Sequence, residues 1–173
     1  TLSSEQLMAQ KMVRDFAVKE VQPTIKEWDR QQAMNPATLP RMAELGILGL
    51  CLPVKYGGQG FDYITLGLAC EELEAVDTSL RVVMSVHVGL NSLALLQWGT
   101  EEQKQRWLVP QAKGEKYAMF GLTESGVGSD VANMVSTARR DGTDYVINGE
   151  KMWISLATKA QHILWFAKTD PGA

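Results

Sequence analysis

The stretch that decides the fold lies at residues 120–130 and reads FGLTESGVGSD. Its apolar start is typical of a β-strand, and its glycines, hydroxyls and acids are typical of a turn. Successive free N–H groups in such a turn can bind an anion, so one interpretation is a cradle for a pyrophosphate or a carbonyl-rich ring. The other is an ordinary loop, which is the more common outcome for this composition. A Rossmann-type fingerprint is excluded because the third glycine and the following helix are missing.

The next informative stretch lies about twenty residues further on, at residues 148–155, and reads NGEKMWIS. In an extended chain, Trp153 and Ser155 point to the same side. The indole could then stack on a flat ligand while the hydroxyl donates a hydrogen bond to the edge of that ligand. A tryptophan in the core of a hairpin is the alternative interpretation.

The residues before these stretches have the spacing of helices. Ser3 and Gln6 resemble a capping box, and apolar residues then recur at near-helical spacing as far as Pro23. Shorter helices are predicted from residue 25 to about residue 35 and over residues 37–45. The glycines at positions 57, 58 and 60 mark a loop.

Two long helices are predicted after the glycine-rich loop, at residues 63–76 and 80–98. Three acids lie near the end of the first helix: Glu71, Glu72 and Glu74. We interpret them as a solvated helix end. The second helix is apolar on nearly every side, which predicts burial. A further helix begins after Thr100, and Pro110 is expected to kink or break it.

Four β-strands are predicted beyond residue 115, at residues 117–122, 134–139, 144–149 and 162–168. The second and third strands pair across a turn at residues 141–142. Helices followed by strands predict an α+β fold, with a helical domain at residues 1–114 and a β domain at residues 115–173. Because four strands leave an open sheet with a bare edge, we expect this β domain to be incomplete.

Composition argues against several classes of protein. The 173 residues are 45% hydrophobic, and 17 basic against 20 acidic side chains give a net charge of −3, so no basic face for nucleic acid is expected. Cys51 and Cys70 have no metal-ligand or redox spacing, which predicts reduced core cysteines of a cytosolic-type protein and no metal site. Residues 1–10 do not resemble a signal peptide, and no apolar run approaches the roughly 18–20 residues that span a bilayer. We assign no role to His87 or His162.

Taken jointly, these stretches resemble the acyl-CoA dehydrogenase family. The resemblance rests on GLTESGVGSD and NGEKMWIS, together with LPVKYGGQG at residues 52–60 and GTEEQKQRWLVPQAKGE at residues 99–115. It implies an N-terminal helical domain, a middle domain that resembles a small β-barrel, and a C-terminal helical bundle. This chain would contain the first domain and part of the second, with the C-terminal bundle absent. The resemblance also implies FAD as the cofactor and a homotetramer.

The first glycine-rich stretch matches the family segment that runs along the flavin. By this resemblance, Leu122 and Thr123 would bond the pyrimidine part of the isoalloxazine ring. Gly128 and Ser129 would approach the pyrophosphate and the acyl-CoA substrate. Ser125 stands where the family usually has proline, which loosens the turn.

The second stretch matches the family's Trp-Ile-Thr. Trp153 would flank the flavin ring, and Ser155 would bond near N5, the hydride acceptor. Ser155 keeps the hydroxyl of the usual threonine but loses the β-branch that fixes its rotamer. The cofactor-binding residues implied by both stretches are Phe120, Leu122, Thr123, Gly128, Ser129, Trp153, Ile154 and Ser155.

The implied activity is α,β-dehydrogenation of an acyl-CoA thioester to the enoyl-CoA. Electron-transferring flavoprotein would be the acceptor, in the cytoplasm of a bacterium or the mitochondrial matrix of a eukaryote. The family's catalytic base is a glutamate of the C-terminal bundle, so no catalytic residue is assigned here, and we interpret Glu124 as a structural hydrogen-bonding residue. Two alternatives stay open: an acyl-CoA oxidase or flavin monooxygenase on the same fold, and a non-catalytic interaction module.

Substrate choice depends on the helix at residues 80–98. Arg81 and Ser85 lie four residues apart and therefore on one face. This segment resembles that of glutaryl-CoA dehydrogenases, in which an arginine and a serine at this spacing face the distal carboxylate of the acyl group. The alternative is a surface ion pair between Arg81 and Asp77.

Overall fold

A computed structural model describes residues 1–170 of the protein. Its α-helices are α1 (Ser4–Phe16), α2 (Ile25–Gln31), α3 (Thr38–Glu44), α4 (Tyr63–Glu74), α5 (Thr78–Val83), α6 (Leu93–Trp98), α7 (Glu101–Gln103) and α8 (Val109–Ala112). Wider π-type turns extend or join them at Ala17–Val21, Met84–Ser92 and Lys104–Leu108. The strands are β1 (Ala118–Gly121), β2 (Thr137–Asp141), β3 (Asp144–Asn148) and β4 (His162–Trp165). The fold is therefore a helical region followed by a partial β region, as the sequence predicts.

Helix α1 begins at the predicted capping box. Ser3 Oγ accepts a hydrogen bond from the backbone N–H of Gln6 (3.1 Å), and Gln6 Oε1 accepts one from the backbone N–H of Ser3 (2.9 Å). Val13 and Phe16 are buried on the apolar side of the helix. This side packs against α4 and forms part of the main core.

The interpretation of the acids at the end of α4 as a solvated helix end is wrong for Glu72. Its side chain is only 4% exposed. Its carboxylate accepts two hydrogen bonds from Arg14 (2.6 and 2.7 Å) and one from Gln10 (2.7 Å). A carboxylate can lie in a helix interface when its oxygens are paired in this way. Glu71 and Glu74 are exposed, as expected.

Helices α5 and α6 and the π-type turn between them form one continuous helix, Thr78–Trp98, called here the central helix. Its buried apolar residues are Leu80, Val83, Met84 and Val88. Leu90 and Trp98 are exposed, at 42% and 79%. The prediction of burial on nearly every side is therefore wrong as stated. One side of the first part of the helix is buried, while Arg81 there is 37% exposed, and α6 has no buried residue.

The central helix is long and apolar enough to cross a membrane, judged by length and composition alone. The expectation that no run reaches this length is therefore wrong. Within residues 1–170 it is the one helix that meets the criterion. Core helices that contact no membrane meet the same criterion, and here the helix packs against α4 and β1.

Pro110 does not break the helix that contains it. The helix starts at a second capping box, between Thr100 and Gln103, and continues to residue 112. Pro110 directly follows the π-type turn at Lys104–Leu108, so its missing N–H falls where the regular α-helical hydrogen-bond pattern is already interrupted. The helix stays continuous through this turn.

Cys51 is buried and Cys70 is half-buried, and both thiols are free. Burial raises the pKa of the Cys51 thiol to about 11. Both cysteines pack with the core, as predicted. Among residues 1–170, the His, Cys, Asp and Glu side chains form no group that could hold a metal ion.

A buried polar network centred on Gln111 links the helices to one another. Gln111 Oε1 accepts a hydrogen bond from Ser92 Oγ (2.8 Å), and Gln111 Nε2 donates one to Asn91 Oδ1 (3.1 Å). His87 Nε2 lies 3.1 Å from the backbone oxygen of Gln111. The backbone N–H of Ala118 donates to His87 Nδ1 (3.1 Å), so this nitrogen carries no proton and Nε2 is the donor.

The network also fastens the central helix to β1. Asn91 Nδ2 donates a hydrogen bond to the backbone oxygen of Met119, in the middle of that strand (3.0 Å). Both ring nitrogens of His87 are occupied, and the residue is fully buried. Burial lowers the pKa of the His87 imidazole to about 4, and the nearby His162 adds to the effect.

The strands confirm the four β segments predicted from the sequence. β1 pairs with β4 in parallel, from Ala118 with His162 to Gly121 with Trp165. β2 and β3 form the predicted antiparallel hairpin, and Gly142 in its turn has a φ of +61°. The backbone N–H of Ala138 donates to the oxygen of Lys168 (2.9 Å), which joins the two pairs of strands. Within residues 1–170 they do not close into a barrel. The domain boundary at residue 114 stays a prediction.

The lowered pKa of His87 makes stability depend on pH. As the pH falls from about 6.5, the unfolded chain takes up a proton on this histidine before the folded chain does, so stability is full above pH 6.5 and declines toward pH 4. We expect a slope of at most about 1.4 kcal/mol per pH unit in that interval. The thermal midpoint of the full-length protein should therefore fall less steeply with acid in the His87→Gln variant. Equal slopes in both proteins would contradict the assignment.

Candidate functional site

The first glycine-rich stretch leaves β1 at Gly121 and turns back sharply. Glu124 and Val127 exchange two backbone hydrogen bonds (3.0 and 3.2 Å), which close the turn. Gly126 and Gly128 have no positive φ, and a Cβ atom added to either would meet no atom within 4 Å. The turn therefore does not itself require these glycines, and they leave open space beside the chain for close approach of another group.

The second stretch lies directly against the first. The backbone N–H of Met152 donates to the backbone oxygen of Thr123 (3.0 Å). This bond brings Leu122 and Thr123, at the end of β1, next to the residues before Trp153. Two stretches that are about twenty residues apart in the sequence thus lie side by side.

Trp153 is the most exposed tryptophan of the site region. Its side chain is 86% exposed. Within residues 1–170, Trp153 is therefore not a core residue, and that alternative interpretation is wrong. Its φ is +58°, and a left-handed conformation in a bulky residue is strained. The extended chain assumed for Trp153 and Ser155 is therefore also wrong. Ser155 is exposed and Ile154 is half-buried.

The hydroxyls of the site are free to bind a ligand. Thr123, Ser129 and Ser155 make no side-chain hydrogen bond within the part of the chain that the structure describes. Ser129 and Ser155 are exposed, and Thr123 is half-buried. Unpaired donors beside an exposed indole suit a flat ligand with polar edges, such as an isoalloxazine ring. The residues present therefore fit FAD.

An apolar cleft of about 500 Å³ lies between the end of the central helix and the strands β1 and β4. Phe120 lines it and packs against Phe166, with 4.9 Å between the ring centroids. The exposed end of the central helix supplies Leu90 and Trp98. The cleft explains why these large side chains face away from the core: they form one wall of an apolar cavity.

Glu124 is a structural hydrogen-bonding residue, as expected. Its buried carboxylate accepts hydrogen bonds from Lys151 Nζ (2.7 Å) and from the backbone N–H groups of Val135 (2.7 Å) and Ser136 (3.0 Å). These bonds, chiefly that of Lys151, hold the pKa of Glu124 at about 2. Sequence reasoning missed Lys151, because it follows Asn148, Gly149 and Glu150 and no local pattern marks it as buried.

Arg81 and Ser85 interact as their spacing predicts. Arg81 Nη1 donates a hydrogen bond to Ser85 Oγ (3.0 Å). The alternative of a surface ion pair is correct in kind, because the Arg81 side chain is 37% exposed and paired with an acid. It is wrong in the partner, because Asp77 caps α5 at the N–H of Ser79. The counter-ion is Glu74, whose Oε2 lies 2.8 Å from Arg81 Nε.

Arg81, Ser85 and Glu74 form a cluster that is separate from residues 120–130 and 148–155. The Arg81 guanidinium lowers the pKa of Glu74, and its Nη2 group has no partner within residues 1–170. No hydrogen bond or ion pair of this part of the chain joins Arg81 or Ser85 to residues 120–130 or 148–155. They are connected through the central helix, which packs on β1.

Comparison with known families agrees with this arrangement. Residues 3–115 match the acyl-CoA dehydrogenase N-terminal domain, and residues 119–173 match the acyl-CoA dehydrogenase middle domain. Because the two matches together span nearly the whole chain, the protein belongs to the acyl-CoA dehydrogenase family.

Individual relatives give the same result. The short-chain specific acyl-CoA dehydrogenase of Bos taurus mitochondria is 38% identical over 163 residues, which are 94% of this chain and 40% of that protein. A glutaryl-CoA dehydrogenase of Mycobacterium smegmatis in complex with FADH2 has a TM-score of 0.93 at 36% identity, over 98% of this chain and 44% of that one. A chain in the structure of the electron transferring flavoprotein of Acidaminococcus fermentans has a TM-score of 0.96 at 37% identity, over 99% and 45%. This chain spans less than half the length of each.

The exposure of Trp153 predicts that its indole adds little to folding. In the full-length protein freed of its cofactor, Trp153→Asn should change the free energy of unfolding by no more than about 0.5 kcal/mol, because the side chain is exposed and asparagine tolerates a positive φ. Trp165→Asn is the control and should cost at least about 2 kcal/mol, since this half-buried indole packs over Lys151. Denaturant unfolding measures both changes. Equal losses in the two variants would show that Trp153 is a core residue of the whole protein.

Proposed function

We propose that the full-length protein is an FAD-dependent acyl-CoA dehydrogenase that converts an acyl-CoA thioester to the α,β-enoyl-CoA. The observation that carries this proposal is the bond between Met152 and Thr123. It joins the two stretches whose free hydroxyls and exposed indole fit an isoalloxazine ring. Membership of the acyl-CoA dehydrogenase family supports the same reaction.

The residues of the chain bind and orient the cofactor. When bound, FAD supplies the acceptor for the hydride that leaves the β-carbon of the acyl group. Leu122 and Thr123 would hold the pyrimidine edge of the ring, and Trp153 would lie against its face. Ser155 would donate a hydrogen bond near N5.

The remaining members of the predicted set lie around this centre. Phe120 and Ile154 would shield the ring from water. Gly128 and Ser129 lie in the open turn, where the cofactor pyrophosphate and the substrate can approach the backbone closely. Ser129 would then contact both ligands.

Neither of the two buried glutamates among residues 1–170 is suited to remove the α-proton. The carboxylate of Glu124 already accepts hydrogen bonds from three donors, and its pKa of about 2 makes it a poor proton acceptor. Glu72 is likewise bound by Arg14 and Gln10. We place the catalytic base in a part of the protein outside this chain.

The substrate is a short acyl-CoA, and its distal end can carry a carboxylate. Arg81 offers the unpartnered Nη2 group, and Ser85 supports the guanidinium from the next turn of the helix. A distal carboxylate bound there would share Arg81 with Glu74. The glutaryl-CoA dehydrogenase among the similar structures supports this class of substrate.

Electron-transferring flavoprotein is the proposed acceptor, and the protein works as a homotetramer in the bacterial cytoplasm or the mitochondrial matrix. The similarity to a chain in an electron transferring flavoprotein structure supports the acceptor. An acyl-CoA oxidase or flavin monooxygenase on the same fold is the second candidate. A non-catalytic module is the third, and the free hydroxyls of Thr123, Ser129 and Ser155 argue against it.

A reduction experiment tests the proposed reaction. The purified full-length protein should be yellow, and anaerobic addition of butyryl-CoA or glutaryl-CoA should bleach its flavin absorbance. Reoxidation by electron-transferring flavoprotein should be at least tenfold faster than by oxygen. Faster reoxidation by oxygen would indicate the oxidase or monooxygenase, and a colourless protein would indicate the non-catalytic module.

The role of Arg81 is tested by comparing two substrates. Arg81→Ala should lower kcat/KM for glutaryl-CoA at least tenfold more than for butyryl-CoA. Only glutaryl-CoA has a distal carboxylate, which would lose its interaction with Arg81. Arg139→Ala is the matched control, since Arg139 is exposed and its side chain has no hydrogen bond within residues 1–170. Equal losses on both substrates in the Arg81 variant would refute the assignment.

A further inference from the structure

The most unusual charges of the protein lie next to the proposed flavin site. Lys151 Nζ and Glu124 Oε1 are 2.7 Å apart, and the two side chains are only 1% and 2% exposed. Burying such a pair costs much of the hydration energy of both ions, and apolar residues in its place often give an equally stable protein. A contribution to stability therefore does not explain why these two buried positions carry charged residues.

Each partner of the pair is bound on several sides. Lys151 Nζ also donates to the backbone oxygen of Leu122 (3.0 Å) and lies 5.4 Å from the centroid of the Trp165 ring. Glu124 binds the backbone N–H groups of Val135 and Ser136, just before β2. The pair thus ties three segments together: the end of β1, the approach to β2, and the stretch that leads into Trp153.

The pair acts on the backbone of the site residues. Glu124 directly follows Thr123, and Lys151 precedes Trp153 by two residues. Between them, the Met152 N–H binds the Thr123 oxygen. The strained φ of +58° at Trp153 persists only if the residues before it are held firmly. Lys151 provides that hold.

We infer that Lys151 and Glu124 form a positioning pair, which fixes the register between Thr123 and Trp153 so that both can engage the same flavin ring. Neither residue exchanges a proton or touches the substrate. The inference rests on the proposed FAD site. It adds that correct binding of FAD requires both charged side chains.

The experiment separates positioning from folding by comparing single and double variants of the full-length protein. Lys151→Met leaves Glu124 buried and unpaired and should lower the thermal midpoint of the FAD-free protein. The double variant Lys151→Met/Glu124→Leu removes both charges and should restore much of that midpoint. It should nevertheless bind FAD at least about tenfold more weakly than the wild type, the usual cost of losing groups that orient a binding residue. Lys159→Met is the matched control, because Lys159 is exposed and its side chain makes no contact within residues 1–170.

Titration of the FAD-free proteins with FAD, followed by flavin fluorescence and visible circular dichroism, gives the dissociation constants and reports ring orientation. Weaker binding with an altered dichroic band in the double variant, and neither change in Lys159→Met, is the expected result. A double variant with wild-type affinity and spectrum would overturn the inference and leave the proposed function intact. A wild-type protein that binds no FAD would instead refute the proposed function itself.

Discussion

The attachment of the central helix to β1 is the constraint on which the rest of the structure depends. Gln111, His87 and Asn91 meet in a buried network whose hydrogen bonds reach the backbone of β1 at Ala118 and Met119. Because unpaired buried polar groups are costly, this network permits one relative placement of helix and strand. The strand then positions residues 120–130, which begin near its end. The exposed end of the helix forms one wall of the apolar cleft.

Much of the fold follows from local sequence patterns, because those patterns act over a few residues. The capping box at Ser3 and the hairpin turn at Gly142 are examples in which the neighbouring residues determine the backbone. Glu72 differs from its prediction because a distant segment decides the outcome: it resembles a surface acid until Arg14 is brought against it from α1. Pro110 differs for a local reason, because the π-type turn before it has no sequence signature.

The sequence names candidate members of the site but not their geometry. The two motifs taken jointly point to Thr123 and Trp153 through resemblance to a family, and these roles stay predictions. The spacing argument for an extended chain is wrong at Trp153, because φ is +58° there and the preceding residue, Met152, is hydrogen-bonded to Thr123, about thirty residues earlier. Long-range contacts of this kind leave no periodic signal in a single sequence. The counter-ion of Arg81 was missed for a related reason: Glu74 lies on the preceding helix.

The central claim is that two distant stretches form one surface for the flavin ring. A crystal structure of the full-length protein with FAD tests it most directly. The account predicts that the hydroxyls of Thr123 and Ser155 lie within about 3.2 Å of polar atoms of the isoalloxazine ring and that the indole of Trp153 lies against the face of that ring. A flavin bound elsewhere, or bound with Trp153 turned into solvent, would contradict the account.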